Sequence, residues 1–129
     1  MDNSLKRDSI LRLKSEIQDL FDNGKREYPG IIKVVWIQEK DIEEGKVKIF
    51  ISVPKKIINK AVRRNLVKRR IKEALRINLT ELKDLCKQNN ICIKLGVVYI
   101  HSSIEEFDQI ENKIMLTLQK IYSKIYETL

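Results

Sequence analysis

The chain alternates between segments whose apolar residues recur every three or four positions and segments in which apolar residues crowd together. Residues 12–22 have the helical spacing, and an Asn-Gly pair directly after them ends that pattern. The runs 31–37, 47–53 and 91–100 are rich in β-branched residues and predict three strands. An acidic, Gly-containing loop separates the first two runs, which predicts that they pair as a hairpin.

Two longer segments return to the helical period. Residues 59–78 form the first, and residues 79–88 either extend it or begin a second short helix. The second segment opens with Ser103 as a candidate N-cap and Glu106 three residues later. The order predicts an α-β-β-α-β-α sandwich of the α+β class, in which helices pack on one small sheet.

The apolar faces of these two helices can be read from their spacing. In the first helix the expected packing face comprises Val67, Ile71, Ala74, Leu75 and Asn78. In the last helix it comprises Ile104, Phe107, Ile110, Ile114, Leu118, Ile121 and Ile125.

Length and composition limit the class of protein. At 129 residues the chain has the size of one domain, expected over residues 1–129. No apolar run approaches the roughly 18 residues of a membrane span, and the polar N-terminus has no signal-peptide core. We therefore expect a cytoplasmic protein without a membrane partner. Cys86 and Cys92 fit neither a disulfide framework nor a zinc site, so we expect reduced, structural thiols.

The distribution of charge along the chain is the feature that indicates most about function. Residues 55–76 contain ten basic side chains and one acid, a local balance of 10 − 1 = +9, whereas the whole chain carries +8. Arg64, Lys68, Lys72 and Arg76 follow at four-residue intervals, although like charges at this spacing repel by a few tenths of a kcal/mol per pair. A phosphate backbone would favour such an arrangement, because each docked cation releases counterions. The alternative is a solvated face that only keeps the protein soluble, but such faces normally contain interspersed acids.

The same segment resembles a known family signature. KAVRRNLVKRRIKEALR, preceded by Ser52, Val53, Lys55 and Lys56, is similar to the basic helix of the bacterial ribonuclease P protein subunit and to its lead-in strand. Residues 12–26 also look like that family's first helix and the turn after it. The resemblance extends from about Arg12 to the last helix, and the Arg-Asn-x-x-Lys-Arg core is its most specific part.

The resemblance implies a fold and a function. Proteins of this family bind a catalytic RNA, and the ribonucleoprotein removes the 5′ leader from precursor tRNA. The RNA holds the catalytic Mg²⁺, so no catalytic or metal-binding residue is expected in the protein. The fold is expected to contain a left-handed β-α-β crossover, against the usual preference for right-handed connections. The residues expected to contact the RNA subunit are Lys55, Lys56, Lys60, Arg64, Asn65, Lys68, Arg69, Lys72 and Arg76.

The family also implies a cleft for the leader between the first helix and the sheet. Matching the first helix and first long strand assigns Ile17, Phe21 and Trp36 to this cleft. Aromatic rings stack on bases of any sequence, so Phe21 and Trp36 suit the role better than Ile17. All three residues could instead belong to the core. Phe50 lies one position from the family's usual strand aromatic, so alternation would point it away from the cleft.

Two other functions remain open at this stage. A ribosomal or ribosome-assembly RNA-binding protein would also have a basic helix, but it would not need the matched first helix or the strand before the basic segment. A DNA-binding regulator usually presents its recognition helix among other helices, whereas this basic helix follows a strand, so no DNA partner is expected. The single histidine and the lack of paired carboxylates give no sign of an independent nuclease.

Overall fold

The computed structural model describes residues 10–40 and 43–129. In chain order the elements are helix α1 (Lys14–Asn23), strands β1 (Lys25–Glu27), β2 (Ile32–Glu39) and β3 (Lys46–Ser52), helices α2 (Ala61–Asn78) and α3 (Thr80–Asn89), strand β4 (Cys92–Tyr99) and helix α4 (Phe107–Glu127). The α+β class is confirmed. The structure adds the short strand β1, and it resolves the open choice after residue 78 as a separate helix.

The four strands lie in the order β1-β2-β4-β3. Strand β4 is antiparallel to β2 and parallel to β3, so the predicted hairpin between β2 and β3 is wrong. The reason lies in β4, whose eight residues are all buried and therefore suit the interior of the sheet. Helices α2 and α3 make the crossover between the parallel strands β3 and β4. Its left-handed sense stays a prediction.

The two faces of the sheet are covered unequally. Helices α2 and α4 cover the face that carries Ile32, Val34 and Trp36, and together they form the main core. Helix α1 lies on the opposite face, where Leu20 and Val35 form a smaller cluster. We call the first side the core face and the second side the α1 face. The side chains of β2 therefore alternate between the two faces of the sheet.

The apolar faces predicted for the long helices are confirmed. In α2, Val67, Ile71, Ala74 and Leu75 are buried, and the half-buried Asn78 donates to the Ala74 carbonyl. In α4, the five predicted positions from Ile110 to Ile125 are buried. Ile104 and Phe107 pack at the margin of the core.

The predicted N-cap of the last helix is wrong. Helix α4 begins at Phe107, four residues after Ser103. The Tyr99 hydroxyl donates to the Ser103 carbonyl and accepts from the Glu105 amide, which holds this segment as a loop. The Arg70 guanidinium also donates to the Glu105 carbonyl. Tertiary hydrogen bonds thus override the local capping signal.

Candidate nucleic-acid interface

Helix α2 presents its cations on the side that the core does not cover. Lys60, Arg69 and Lys72 are exposed, and Lys68 is half-buried beside the packing face. Arg69, Lys72, Glu73 and Arg76 line a shallow surface depression. Several guanidinium and ammonium groups therefore converge on a surface that remains open to a large anion.

Three arginines of α2 already have partners within the protein. Nη1 of Arg64 donates to the carbonyls of Ile58 and Asn59, at 3.0 and 2.7 Å, and so fixes the loop that leads into the helix. Arg70 ties the middle of the helix to the loop before α4. Arg64 therefore has a structural role besides the RNA contact predicted for it.

Arg76 forms a bidentate pair with Glu73 one turn earlier, at 3.0 and 2.6 Å. The hydrogen bond from Arg76 lowers the pKa of Glu73, and the Glu73 carboxylate raises the pKa of Arg76. Both side chains are well exposed, so the pair adds little to stability. The single acid of the basic segment therefore orients one arginine at the depression rather than neutralising the helix.

The lead-in to α2 extends the basic surface. Residues 55–57 form a turn in which the Pro54 carbonyl accepts hydrogen bonds from the Ile57 and Ile58 amides. Lys55 and Lys56 are both exposed on this turn, and Asn65 is exposed on the first turns of α2. The nine residues predicted to contact an RNA subunit thus all lie in α2 or in the segment leading into it, and each of them is exposed or half-buried.

A second surface lies on the α1 face of the sheet. Phe21 at the end of α1 meets Phe50 of β3 edge-to-face, with ring centroids 5.9 Å apart and an interplanar angle of 86°. The Lys33 ammonium lies 5.6 Å from the centre of the Phe21 ring, in cation–π range. Ile17 and Ile37 are partly buried beside these rings. Aromatic surface next to a cation is the combination that single-stranded nucleic acids bind.

Phe50 was missed at the sequence level. The match to the family left Phe50 out of the cleft, because Phe50 lies one position from the family's strand aromatic. In the structure Phe50 points to the α1 face, whereas its neighbour Ile51 packs against the main core. The alternation of β3 itself gave the correct signal, because the buried Val47 and Ile49 mark the core face and leave Lys48 and Phe50 opposite.

The structure contradicts the prediction that Trp36 lies in the leader cleft. Only 1% of its surface is exposed, and it belongs to the main core on the other side of the sheet from Phe21. Lys25 of the neighbouring strand lies over its ring at 5.0 Å. An indole without an open face cannot stack on a base, so the structure places Trp36 in the core. Ile17 and Phe21 lie on the α1 face, between the first helix and the sheet, and their contact with a leader stays a prediction.

The close approach of α1 to the sheet depends on Gly96 of β4. A Cβ atom at this position would lie 3.2 Å from Cδ2 of Leu20 and 3.6 Å from Cζ of Phe21. The glycine thus lets the helix settle onto β4 with the Phe21 ring directly above the strand. Nη2 of Arg26 donates to the Phe21 carbonyl at 2.6 Å, which secures the end of the helix.

Among the described residues, no group of three or more His, Cys, Asp or Glu side chains is placed so that it could hold a metal ion. Both cysteines are free, as predicted, and both are buried. Burial raises the pKa of Cys86 to about 12. Among the helices of residues 10–40 and 43–129, none combines the length and apolar character of a membrane span.

The fold and these two surfaces define a small α+β protein with a strongly basic surface helix, which is the kind of surface that suits a polyanion. Comparison with known sequences is more specific, because the family model described as Ribonuclease P matches residues 5–123. The chain therefore belongs to the ribonuclease P protein family, whose members are protein components of that endoribonuclease.

Curated relatives and solved structures agree with this assignment. The ribonuclease P protein component of Porphyromonas gingivalis is 26% identical over 121 residues, covering 94% of this chain and 88% of the relative. The ribonuclease P protein component of Chlorobium phaeobacteroides is 29% identical, covering 92% of this chain and 88% of the relative. The RNase P protein structure from Staphylococcus aureus superimposes with a TM-score of 0.69 at 19% identity, over 88% of this chain and 94% of the other. The RNase P protein structure from Thermotoga maritima superimposes with a TM-score of 0.66 at 22% identity, over 85% of this chain and 94% of the other.

Proposed function

We propose that this protein binds the catalytic RNA of ribonuclease P through α2 and its lead-in turn, and that it binds the 5′ leader of precursor tRNA on the α1 face. The observation that carries the proposal is the presence of two separate surfaces of different chemistry on one small domain. The cations of α2 suit the backbone of a folded RNA, whereas Phe21, Phe50 and Lys33 suit a single strand.

Under this proposal the protein contributes binding and the RNA contributes the chemistry. The RNA subunit would hold the Mg²⁺ ions, and the protein would relieve repulsion between two polyanions, the RNA subunit and the precursor tRNA. The complex would work in the cytoplasm, where tRNA precursors are processed. The family match does not favour the alternative of a ribosomal or ribosome-assembly protein.

Reconstitution tests the division of labour. The purified protein alone should leave precursor tRNA intact. Added to its cognate RNA subunit at low Mg²⁺, the protein should stimulate cleavage at the leader junction. Cleavage that survives exhaustive removal of RNA and co-elutes with the protein would contradict the proposal. RNA that co-purifies from cells provides a second test, because ribosomal RNA in place of a discrete species of several hundred nucleotides would favour the alternative.

A further inference from the structure

The β1 edge of the sheet carries a further exposed aromatic side chain, next to α4. Tyr28 directly follows β1, and 63% of its surface is exposed. Leu116 of α4 is 50% exposed, and both residues line a shallow depression with Pro29 and Lys120. An unpaired base can stack on an exposed ring of this kind. We call this surface, formed by residues 25–30 and the adjacent side of α4 from Lys113 to Glu127, the β1–α4 edge.

Lysines of α4 surround the depression. Glu27 of β1 accepts hydrogen bonds from Lys120 and Lys124, at 3.1 and 2.6 Å, so one carboxylate holds two ammonium groups. The bond from Lys124 is the main reason that the pKa of Glu27 is lowered. The stem of Lys113 passes the turn after β1, because a Cβ on Gly30 would lie 3.8 Å from Cε of Lys113. The Lys113 ammonium pairs with no carboxylate of the described residues.

The β1–α4 edge therefore has a positive charge although it lies outside the basic helix. The three lysines of α4 and the exposed Lys25 of β1 stand against Glu27 and Glu127, which gives +4 − 2 = +2. Cations around an exposed ring are the combination that binds single-stranded nucleic acid.

The β1–α4 edge is continuous with the α1 face. Strand β1 pairs antiparallel with β2 and places Glu27 opposite Val34, so Tyr28 comes to the level of Lys33. The other end of β1 is closed by α1, since a Cβ on Gly24 would lie 2.6 Å from Cγ1 of Val35. A strand of RNA that leaves the aromatic pair past Lys33 would therefore meet Tyr28 and then the lysines of α4.

The order of the strands gives this path a direction. Strand β3 forms one edge of the sheet and leads into the turn with Lys55 and Lys56 and then into α2, whereas β1 forms the opposite edge. Under the proposed function the catalytic RNA binds at α2, on the β3 side. Leader nucleotides close to the cleavage site would then lie toward β3, and nucleotides farther from it would lie toward β1.

We propose that the β1–α4 edge is an extension of the leader site, in which Tyr28 stacks on a base and Lys113 and Lys120 contact phosphates of the distal leader. This inference rests on the proposed leader-binding function and adds a second part to that site. Lys120 is able to turn to a phosphate because Lys124 still pairs with Glu27. Only a leader long enough to pass the α1 face reaches this edge, so the protein binds long leaders more tightly than short ones.

The test is Tyr28→Leu in the holoenzyme reconstituted with its cognate RNA subunit. Binding would be measured for mature tRNA and for precursor tRNAs with leaders of about six and about twelve nucleotides, within the range of known single-strand site sizes. Loss of the ring should weaken binding of the long-leader precursor by about fivefold, the lower end of what one stacked base contributes. Binding of the other two tRNAs should not change. Lys113→Met should lower the logarithmic salt slope for the long leader alone by about 0.7, the value of one single-strand phosphate contact.

The chain offers matched controls. Tyr126 is 62% exposed, but it stacks on Tyr122 on the side of α4 that faces α3, so Tyr126→Leu should leave binding of all three tRNAs unchanged. Lys87→Met removes one exposed charge from α3 and should not alter the slope. Phe21→Leu should weaken binding of both leader lengths, since its ring lies on the α1 face. Thermal unfolding of each variant would show whether the fold is kept.

Each outcome separates this inference from the function on which it rests. If the unaltered holoenzyme binds precursor and mature tRNA equally, the proposed leader function fails and the extension fails with it. If both leaders bind better than mature tRNA but Tyr28→Leu weakens neither of them, or weakens both equally, the extension alone is refuted. A Tyr28 variant that instead loses affinity for the RNA subunit would assign the β1–α4 edge to that subunit and refute the extension as well.

Discussion

Removal of the Arg69 and Lys72 side chains tests whether α2 is the surface that binds the RNA subunit. Both residues are exposed, both line the depression on α2, and neither makes a hydrogen bond or ion pair with another described residue. Replacing both with Ala should not lower the unfolding temperature, since Ala favours helices and a like-charge repulsion disappears. This separates binding from folding more cleanly than a change at Arg64, which holds the loop before the helix.

The expected loss of affinity follows from counterion release. Each phosphate neutralised contributes about 0.7 to 0.9 to the slope of log affinity against log salt, so two contacts contribute about 1.4 to 1.8. Near 0.1 M salt this corresponds to a loss of about 25- to 60-fold in affinity. The measurement is binding of the RNA subunit across a salt series, for the unaltered protein and for the double variant.

A matched control removes the same charge elsewhere. Lys40→Ala with Lys87→Ala takes two positive charges from exposed positions outside α2. This variant should keep the salt slope of the unaltered protein. An unchanged slope in the Arg69 and Lys72 variant, or an equal decrease in the control, would show that these α2 side chains do not contact the RNA.

Three other predictions concern folding and the α1 face. Arg70→Ala should lower the free energy of unfolding by about 1–3 kcal/mol in denaturant titration, because it removes the tie to the loop before α4, while the salt slope of RNA binding should stay the same. Phe21→Leu or Phe50→Leu should weaken binding of precursor tRNA by about 1–3 kcal/mol relative to binding of mature tRNA. Trp36→Leu should instead lower the free energy of unfolding and leave the preference for precursor over mature tRNA unchanged. Cys86, with its pKa raised to about 12, should react with thiol reagents near neutral pH only after unfolding.

Each of these three predictions would be contradicted by a specific result. Stability of the Arg70 variant equal to that of the unaltered protein would mean that its hydrogen bond contributes nothing measurable. A Phe21 variant that loses affinity for both tRNAs equally would remove the ring from the leader contact. Rapid labelling of Cys86 in the folded protein would contradict its burial.

The sequence by itself determined the presence of α1, α2 and α4, the three long strands and the basic surface. These features depend on local properties: the spacing of apolar residues places Val67 and Ile71 on one side of α2, and the concentration of cations in residues 55–76 needs no partner to be recognised. Strand alternation likewise separated Val34 from Val35. The family signature in the same segment then indicated the function.

Only the tertiary structure decided which strands pair and which side chains are free. Strand β4 enters between β2 and β3 because it is apolar on both faces except for Lys94, a preference that is satisfied only when neighbours cover it on every side. The same holds for polar groups, since Arg64 and Lys94 look like free cations in the sequence but meet backbone carbonyls and carboxylates from other segments. Trp36 shows most directly what the sequence could not decide. Its ring could stack on a base or pack in a core, and only the helices that cover it in the structure show that it belongs to the core.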